Sequence, residues 1–344
     1  MSSPSSAVDS ASPPVRHRLW LLRLVPDVRH GRWWCALGLF GVLVGMYWIT
    51  GSLAPEQAAW PAALFFCVIL AYIVPVFDFI TRKTEEAFDA LAPELSVSSD
   101  ARARMRSSIS EKSHTWLVIN TSISVSLWLL QSWLLTGSVA TMGQAITQSI
   151  TSLSLVLGPL LVWVFMTCAI HALVDNARLF RALTRHVHID PLDTNALTPF
   201  GSMAVSSTLA VIGSQAAFPI LWLGPETDPW TTIPGLIGTT VPLLYLFFAP
   251  ILPIHVALRT EKQRELGRVQ EEINARRRAG SGEGASASEA MAPLLIYRRE
   301  VAGSPEWPID LGLLARLGLY LIIVPLTWIG AALIELIVDF FVQG

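Results

Sequence analysis

Cysteine is nearly absent: Cys35, Cys67 and Cys168 are the only three in 344 residues, each alone in a different apolar stretch. That excludes a disulfide framework and a thiolate ligand set, and leaves the three as small packing residues. Charge is scarce too. Asp, Glu, Lys and Arg make up 15% of the chain against 52% hydrophobic residues, and the mean hydropathy of +0.51 excludes an ordinary water-soluble domain. Catalytic signatures are missing: there is no GxSxG, GxxxxGKS/T, CxxC or HExxH, and no GxGxxG following a strand. No cofactor is therefore indicated. The basic residues are interleaved with acids and lack an aromatic stacking platform, which argues against a nucleic-acid partner.

Long apolar runs are what the chain has. Seven are long enough for a bilayer crossing, which takes about 20 helical residues: 33–52, 61–80, 116–135, 150–174, 202–223, 232–258 and 317–334. The connections 51–60, 136–149 and 224–231 contain no Lys or Arg, so all 24 basic residues fall on the other side. Short basic loops stay cytoplasmic, which predicts the N-terminus inside and the C-terminus outside after seven crossings. Trp33, Trp34 and Trp116 mark inner ends, and Trp48, Trp60, Trp133, Trp222 and Trp230 outer ends, as interfacial indoles do. The spans must be helical, because an open strand would leave amides unpaired in hydrocarbon. The fold class expected is all-α, a polytopic membrane helical bundle of seven transmembrane helices with short cytoplasmic helical extensions. The partners expected are the lipid bilayer, anionic headgroups on the basic cytoplasmic side, and further copies of itself in a homo-oligomer.

The organisation follows. Residues 1–32 comprise a Ser/Pro/Ala-rich tail, read as disordered, and a basic segment suited to the headgroup region. Residues 33–258 hold the first six spans with cytoplasmic loops at 81–114 and 176–199. The first loop contains two short helices, 84–91 and 100–112; the second breaks at Pro191, with Asp193 placed to cap the next turn. Residues 259–311 begin as a charged helix, 259–278, pass through a flexible Gly/Ser linker at 280–288, and return to the interface at Trp307. Residues 312–344 hold the seventh span. No internal repeat is evident.

Two polar groupings could carry chemistry. On the outer side, Glu335 and Asp339 are helical neighbours at a C-terminal end, where both mutual repulsion and the helix dipole disfavour them. These two form an outer acidic cluster, with Glu56, Glu226 and Asp228 adding acids to the same outer face, read either as wet interfacial acids or as a cation-attracting vestibule. On the inner side lie Asp78, Asn120, His171, Asp175 and His255, with His114 nearby. Arg82, one turn after Asp78, can neutralise it. His171 and Asp175 share a helix face and could ligate zinc or iron, but their spacing belongs to no recognised metal motif, so interfacial hydrogen bonding is the plainer reading. Pro234, Gly235, Gly238, Pro242, Pro250 and Pro253 crowd the sixth span, which points to a broken helix beside a cavity.

Three blocks, AFDALAPEL (87–95), IDPLDTNALTPFG (189–201) and EWPIDLGLLARLGLYLIIVPLTWIGAALIELIVD (306–339), resemble in order those of an uncharacterised family of bacterial multi-span membrane proteins. Its members carry F..LRP.L, VDLLDLRPL.PFA and EWPFD…LLRFALYLLIPL.SWLGGALVERLVD. The resemblance implies a multi-pass protein of the bacterial inner (cytoplasmic) membrane and transfers no activity. This chain departs from it at Leu336 and Ala92, where relatives carry Arg. The topology alone is also similar to that of seven-helix chemoreceptor channels, and topology does not determine function. The expected function is non-enzymatic: a channel, transport or sensing component. The alternative is a metal-dependent membrane hydrolase using His171 and Asp175.

Overall fold

The computed structural model describes residues 16–136, 149–223, 233–279 and 286–307, with isolated positions at 143, 147 and between 312 and 333. Among the described residues the regular structure is helical apart from two three-residue strands, β1 (Arg16–Arg18) and β2 (Glu111–Ser113), with turns and short 3-10 segments in the connections. The helices are α1 (Trp20–Arg23), α2 (Gly31–Ile49), α3 (Trp60–Leu91), α4 (Ser99–Ser110), α5 (His114–Thr136), α6 (Ile150–Leu183), α7 (Thr198–Gln215), α8 (Ile233–Ala279) and α9 (Ser286–Gly303). Six of them, α2, α3, α5, α6, α7 and α8, are long and apolar enough to cross a membrane. The seventh expected span, 317–334, lies mostly outside the described residues; those of its positions that are described are helical.

The central element is α3, packed by α2, α6 and α7, while α6 also carries α5 and α8. Phe65, Phe66, Ile69, Ile73, Phe77 and Ile80 put large side chains on more than one face of α3, and all are buried. A helix apolar all round belongs inside a bundle. Close approach to α6 depends on Gly158, where an added Cβ would stand 2.3 Å from Phe66 Cδ2 and 2.6 Å from the Tyr47 hydroxyl. Without a large hydrophobic term between helices in lipid, such contacts and short polar ties supply the adhesion. One tie joins the end of α2 to the start of α6: Ser52 and Ser154 hydroxyls meet at 2.7 Å, and the Thr151 hydroxyl donates to the Thr50 carbonyl at 2.5 Å.

Several helices continue well past the apolar runs that start them. Phe88 and Leu91 of α3, Phe180 and Leu183 of α6, and Leu197 and Phe200 ahead of and within α7 are all at most 1% exposed and belong to one cluster. Phe180 and Phe200 meet edge to face with centroids 5.7 Å apart. These positions lie beyond the limits of the apolar runs, and burying such a side chain from water contributes roughly 1.5–3 kcal/mol. The loops between them satisfy their backbone groups on one another. Ser96 N–H donates to the His186 carbonyl and His188 N–H to the Glu94 carbonyl, at 2.9 and 3.1 Å.

Five expectations change in detail. The helix expected at 84–91 is the uninterrupted end of α3, whereas the second one is present as α4. Asp193 makes no side-chain cap; Asp190 Oδ1 accepts the Leu192 N–H instead, at 2.9 Å. The segment after residue 15 does not simply lie among headgroups: β1 pairs antiparallel with β2, and Leu19, Leu21, Leu22 and Val25 are buried against the bundle. The sixth span is unbroken, since α8 runs through Pro242, Pro250 and Pro253 into the charged extension. Each proline removes one backbone bond, which neighbouring helices tolerate. The linker is shorter than expected, because α9 starts at Ser286 and folds back along α8; residues 280–285, like 1–15, lie outside the described residues. Tyr297 of α9 donates to Glu265 Oε1 of α8 at 2.9 Å, which raises the phenol above its ordinary pKa.

Candidate functional site

Three of the five inner polar residues converge where α5 and α6 lie side by side. Asn120 follows Trp116 by one helical turn, and its Nδ2 donates to the Trp116 carbonyl at 2.9 Å. Its Oδ1 is thereby left as an acceptor, 2.9 Å from His171 Nδ1, so that nitrogen carries the imidazole proton. His171 Nε2 then points along α6 toward Asp175 Oδ1, 3.7 Å away and one turn on. The imidazole also stacks on Trp116, with centroids 5.0 Å apart at 26°.

Asp175 is the node of the cluster. It accepts from Trp116 Nε1 at 2.8 Å and from Lys112 Nζ at 3.4 Å, and Arg178 closes on its other oxygen at 3.4 Å. Lys112, at the centre of β2, has a side chain only 8% exposed and also donates to the Ser108 carbonyl at 3.0 Å. The short strand pairing therefore has a purpose visible in the geometry, because it fixes the backbone from which Lys112 reaches α6. Lys112 and Trp116 were not expected here. The sequence places Lys112 at the end of the helix 100–112 and Trp116 as an interfacial marker, whereas Lys112 lies in β2 beyond the end of α4. Their only sequence signal is a cation four residues before an indole at the start of a span.

The remaining two residues serve other contacts. Asp78, 1% exposed in α3, is held by Arg32 of α2 at 2.9 Å and by Arg82 at 3.1 Å. Arg82 was the expected partner; Arg32, 46 residues away, was not. His255 of α8 stacks on Trp307 with centroids 3.9 Å apart, and its Nδ1 meets the Glu306 carbonyl at 2.6 Å. With Lys262, which donates to the Ser304 carbonyl at 2.8 Å, it clamps the chain as it leaves α9. Glu335, Asp339, Glu226 and Asp228 lie outside the described residues, and Glu56 is exposed.

Asn120 and His171 close one end of a cavity of about 780 Å³ between α5, α6 and the start of α8. Its walls are apolar: Ile123, Leu127 and Leu130 from α5, Met166, Ile170 and Val174 from α6, Ile237 from α8. Gln131 and Thr167 are the other polar groups lining it, and Gln131 accepts from Trp163 Nε1 at 2.5 Å. From Asn120 to Leu134 the cavity follows α5 for about 20 Å at 1.5 Å per residue, some two thirds of a hydrocarbon core. Ile123, Leu130, Leu134 and Ile237 are 42–59% exposed, so it opens sideways between apolar side chains. The cavity expected beside the sixth span is present, although the helix next to it is intact.

This arrangement can bind an elongated apolar body and offer hydrogen bonds at one end. It is poorly suited to metal chemistry. Among the described residues no group of three or more His, Cys, Asp or Glu side chains gathers, and the Asp175 oxygens are already engaged by an indole and two cations. No family profile, curated protein or solved structure matches this chain.

Proposed function

We propose that this chain is a non-enzymatic component of the bacterial inner membrane, a transport or sensing protein that takes an amphipathic molecule from the lipid phase. The observation that carries this reading is the half-open cavity of about 780 Å³, within the size range of small-molecule sites. Its apolar walls suit a hydrocarbon body, and the Asn120–His171 pair suits a head group with hydroxyl or carbonyl oxygens. Seven crossings with the N-terminus inside would put that polar end near the cytoplasmic face, next to Lys112 and Arg178, consistent with the segregation of Lys and Arg.

The test uses the full chain in native membranes with a photoactivatable, clickable fatty alcohol. Labelling should map to α5, α6 and the start of α8. Thr167→Trp, which places an indole in the cavity, should reduce labelling several-fold. Labelling spread evenly around the bundle would refute the reading. So would an efficient disulfide between Leu130→Cys and Leu326→Cys, because the last span would then fill the space.

A further inference from the structure

We propose a second binding site, for a phosphoryl group, in the pocket between the loop that precedes α2 and the middle of α3. This pocket has a volume of about 290 Å³ and is lined by Asp27, His30, Arg32, Trp33 and Arg82, with Val25, Pro26, Val28 and Gly31 completing its wall. It lies on a different pair of helices from the cavity described above and does not depend on that reading.

The charge arrangement is the first argument. Arg32 and Arg82 both direct Nε at the Asp78 carboxylate, at 2.9 and 3.1 Å. Asp78 is 1% exposed, whereas the two arginine side chains are 37% and 43% exposed. One buried carboxylate thus balances one of two guanidiniums, and both arginines line the pocket. The second acid is a weak competitor: Asp27 is 96% exposed and stands 3.6 Å from Arg82. A guanidinium whose Nε is already oriented offers its terminal N–H groups in a planar fork, which matches phosphate oxygens bidentately. Arg32 is held further by Phe79, whose ring centroid lies 5.2 Å from its guanidinium carbon.

The wall itself is rigid. An added Cβ at Gly31 would fall 2.0 Å from the Pro26 carbonyl oxygen, so the loop is folded tightly onto the start of α2. His30 takes a left-handed backbone, φ 65°, to make that turn. Part of the exposed lining is apolar: Val28 and Trp33 are 61% and 71% exposed, and their near neighbours in sequence Leu24 and Trp34 are exposed as well. Exposed indoles and aliphatics around a cationic recess are the pattern of a membrane–water interface, with acyl chains against the rim and a phosphate inside. The ligand class is a phosphoryl group, whether carried by a phospholipid head or free in solution.

Native mass spectrometry of the purified full chain in detergent tests this with phosphatidylglycerol, diacylglycerol of the same chains, and inorganic phosphate. One phosphorylated ligand per chain should be retained in preference to diacylglycerol. Arg32→Lys keeps a cation beside Asp78 but removes the fork, and should weaken retention about tenfold. Asp27→Asn removes the exposed competitor and should strengthen retention several-fold, a gain that misfolding cannot produce. Retention of phosphatidylglycerol unaffected by excess phosphate identifies a lipid head; binding of phosphate alone identifies the free anion. The proposal is overturned if neither phosphate source is retained, if diacylglycerol is held equally well, or if both variants behave as wild type.

Discussion

Lys112 and Asp175 lend themselves to a test in which the two halves of one ion pair respond unequally. The Lys112 side chain is 8% exposed, Asp175 is 25% exposed, and Arg178 is 60% exposed. Asp175→Ala removes the carboxylate from a nearly buried ammonium and also deprives Trp116 Nε1 of its acceptor. Breaking a buried pair from one side costs about 3–5 kcal/mol. Partial exposure and the remaining bond from Lys112 to Ser108 bring the expected loss to the lower end, about 3 kcal/mol, or a factor of more than 100 in the folded-to-unfolded ratio. Lys112→Met leaves Asp175 with Trp116 and Arg178, so about 1 kcal/mol is expected. The double variant should be little worse than Asp175→Ala alone, with a coupling energy near 1 kcal/mol or more. Reversible unfolding in mixed micelles, titrated with a denaturing detergent and followed by circular dichroism, reads all four corners of the cycle. Equal losses from the two single variants together with strict additivity would refute the argument, because Lys112 would then be solvated and not bound to Asp175.

Gly158→Leu should abolish monodisperse protein in gel filtration, since even the first added carbon meets Phe66 and Tyr47, whereas Gly238→Ala, where the nearest atom is 3.6 Å from the new Cβ, should cost less than about 1 kcal/mol. Equal behaviour of the two would mean that α6 and α3 do not pack as described. For orientation, a periplasm-only reporter should be active when fused within 136–149 and silent within 280–288; activity in the second place would overturn the N-inside arrangement.

The membrane class, the six described spans and the charged extension of α8 were readable in the sequence because they are local. Each depends on a run of 18 or more residues whose mean hydropathy stands well above its flanks, or on a helix former continuing past that run. Asp78 with Arg82 was readable for the same reason, since i,i+4 spacing puts two side chains on one helix face whatever the fold. His171 with Asp175 was too, at the same spacing. The limits that local reading sets are equally visible. Crowded prolines suggested a broken sixth span, but their cost depends on what packs around them, and α8 passes through intact.

What only the tertiary structure decided is which residues from different helices share a place. Arg32 reaches Asp78 across 46 residues and Trp116 reaches Asp175 across 59, and no periodicity encodes such a meeting. Lys112 joins the cluster because two three-residue strands pair, a contact too short to leave a hydropathy pattern. The same holds for separation. Asp78, His171 and His255 occupy similar depths in their spans, so the sequence suggests one inner cluster, yet depth along a helix says nothing of azimuth around the bundle. Packing of α3 between α2 and α7 turns Asp78 to Arg32, while α6 against α5 turns His171 to Asn120 and His255 turns to Trp307. Span positions follow from one-dimensional solvation energetics, and the cavity and the two polar sites follow from how side-chain shape sets the rotation of each helix against its neighbours.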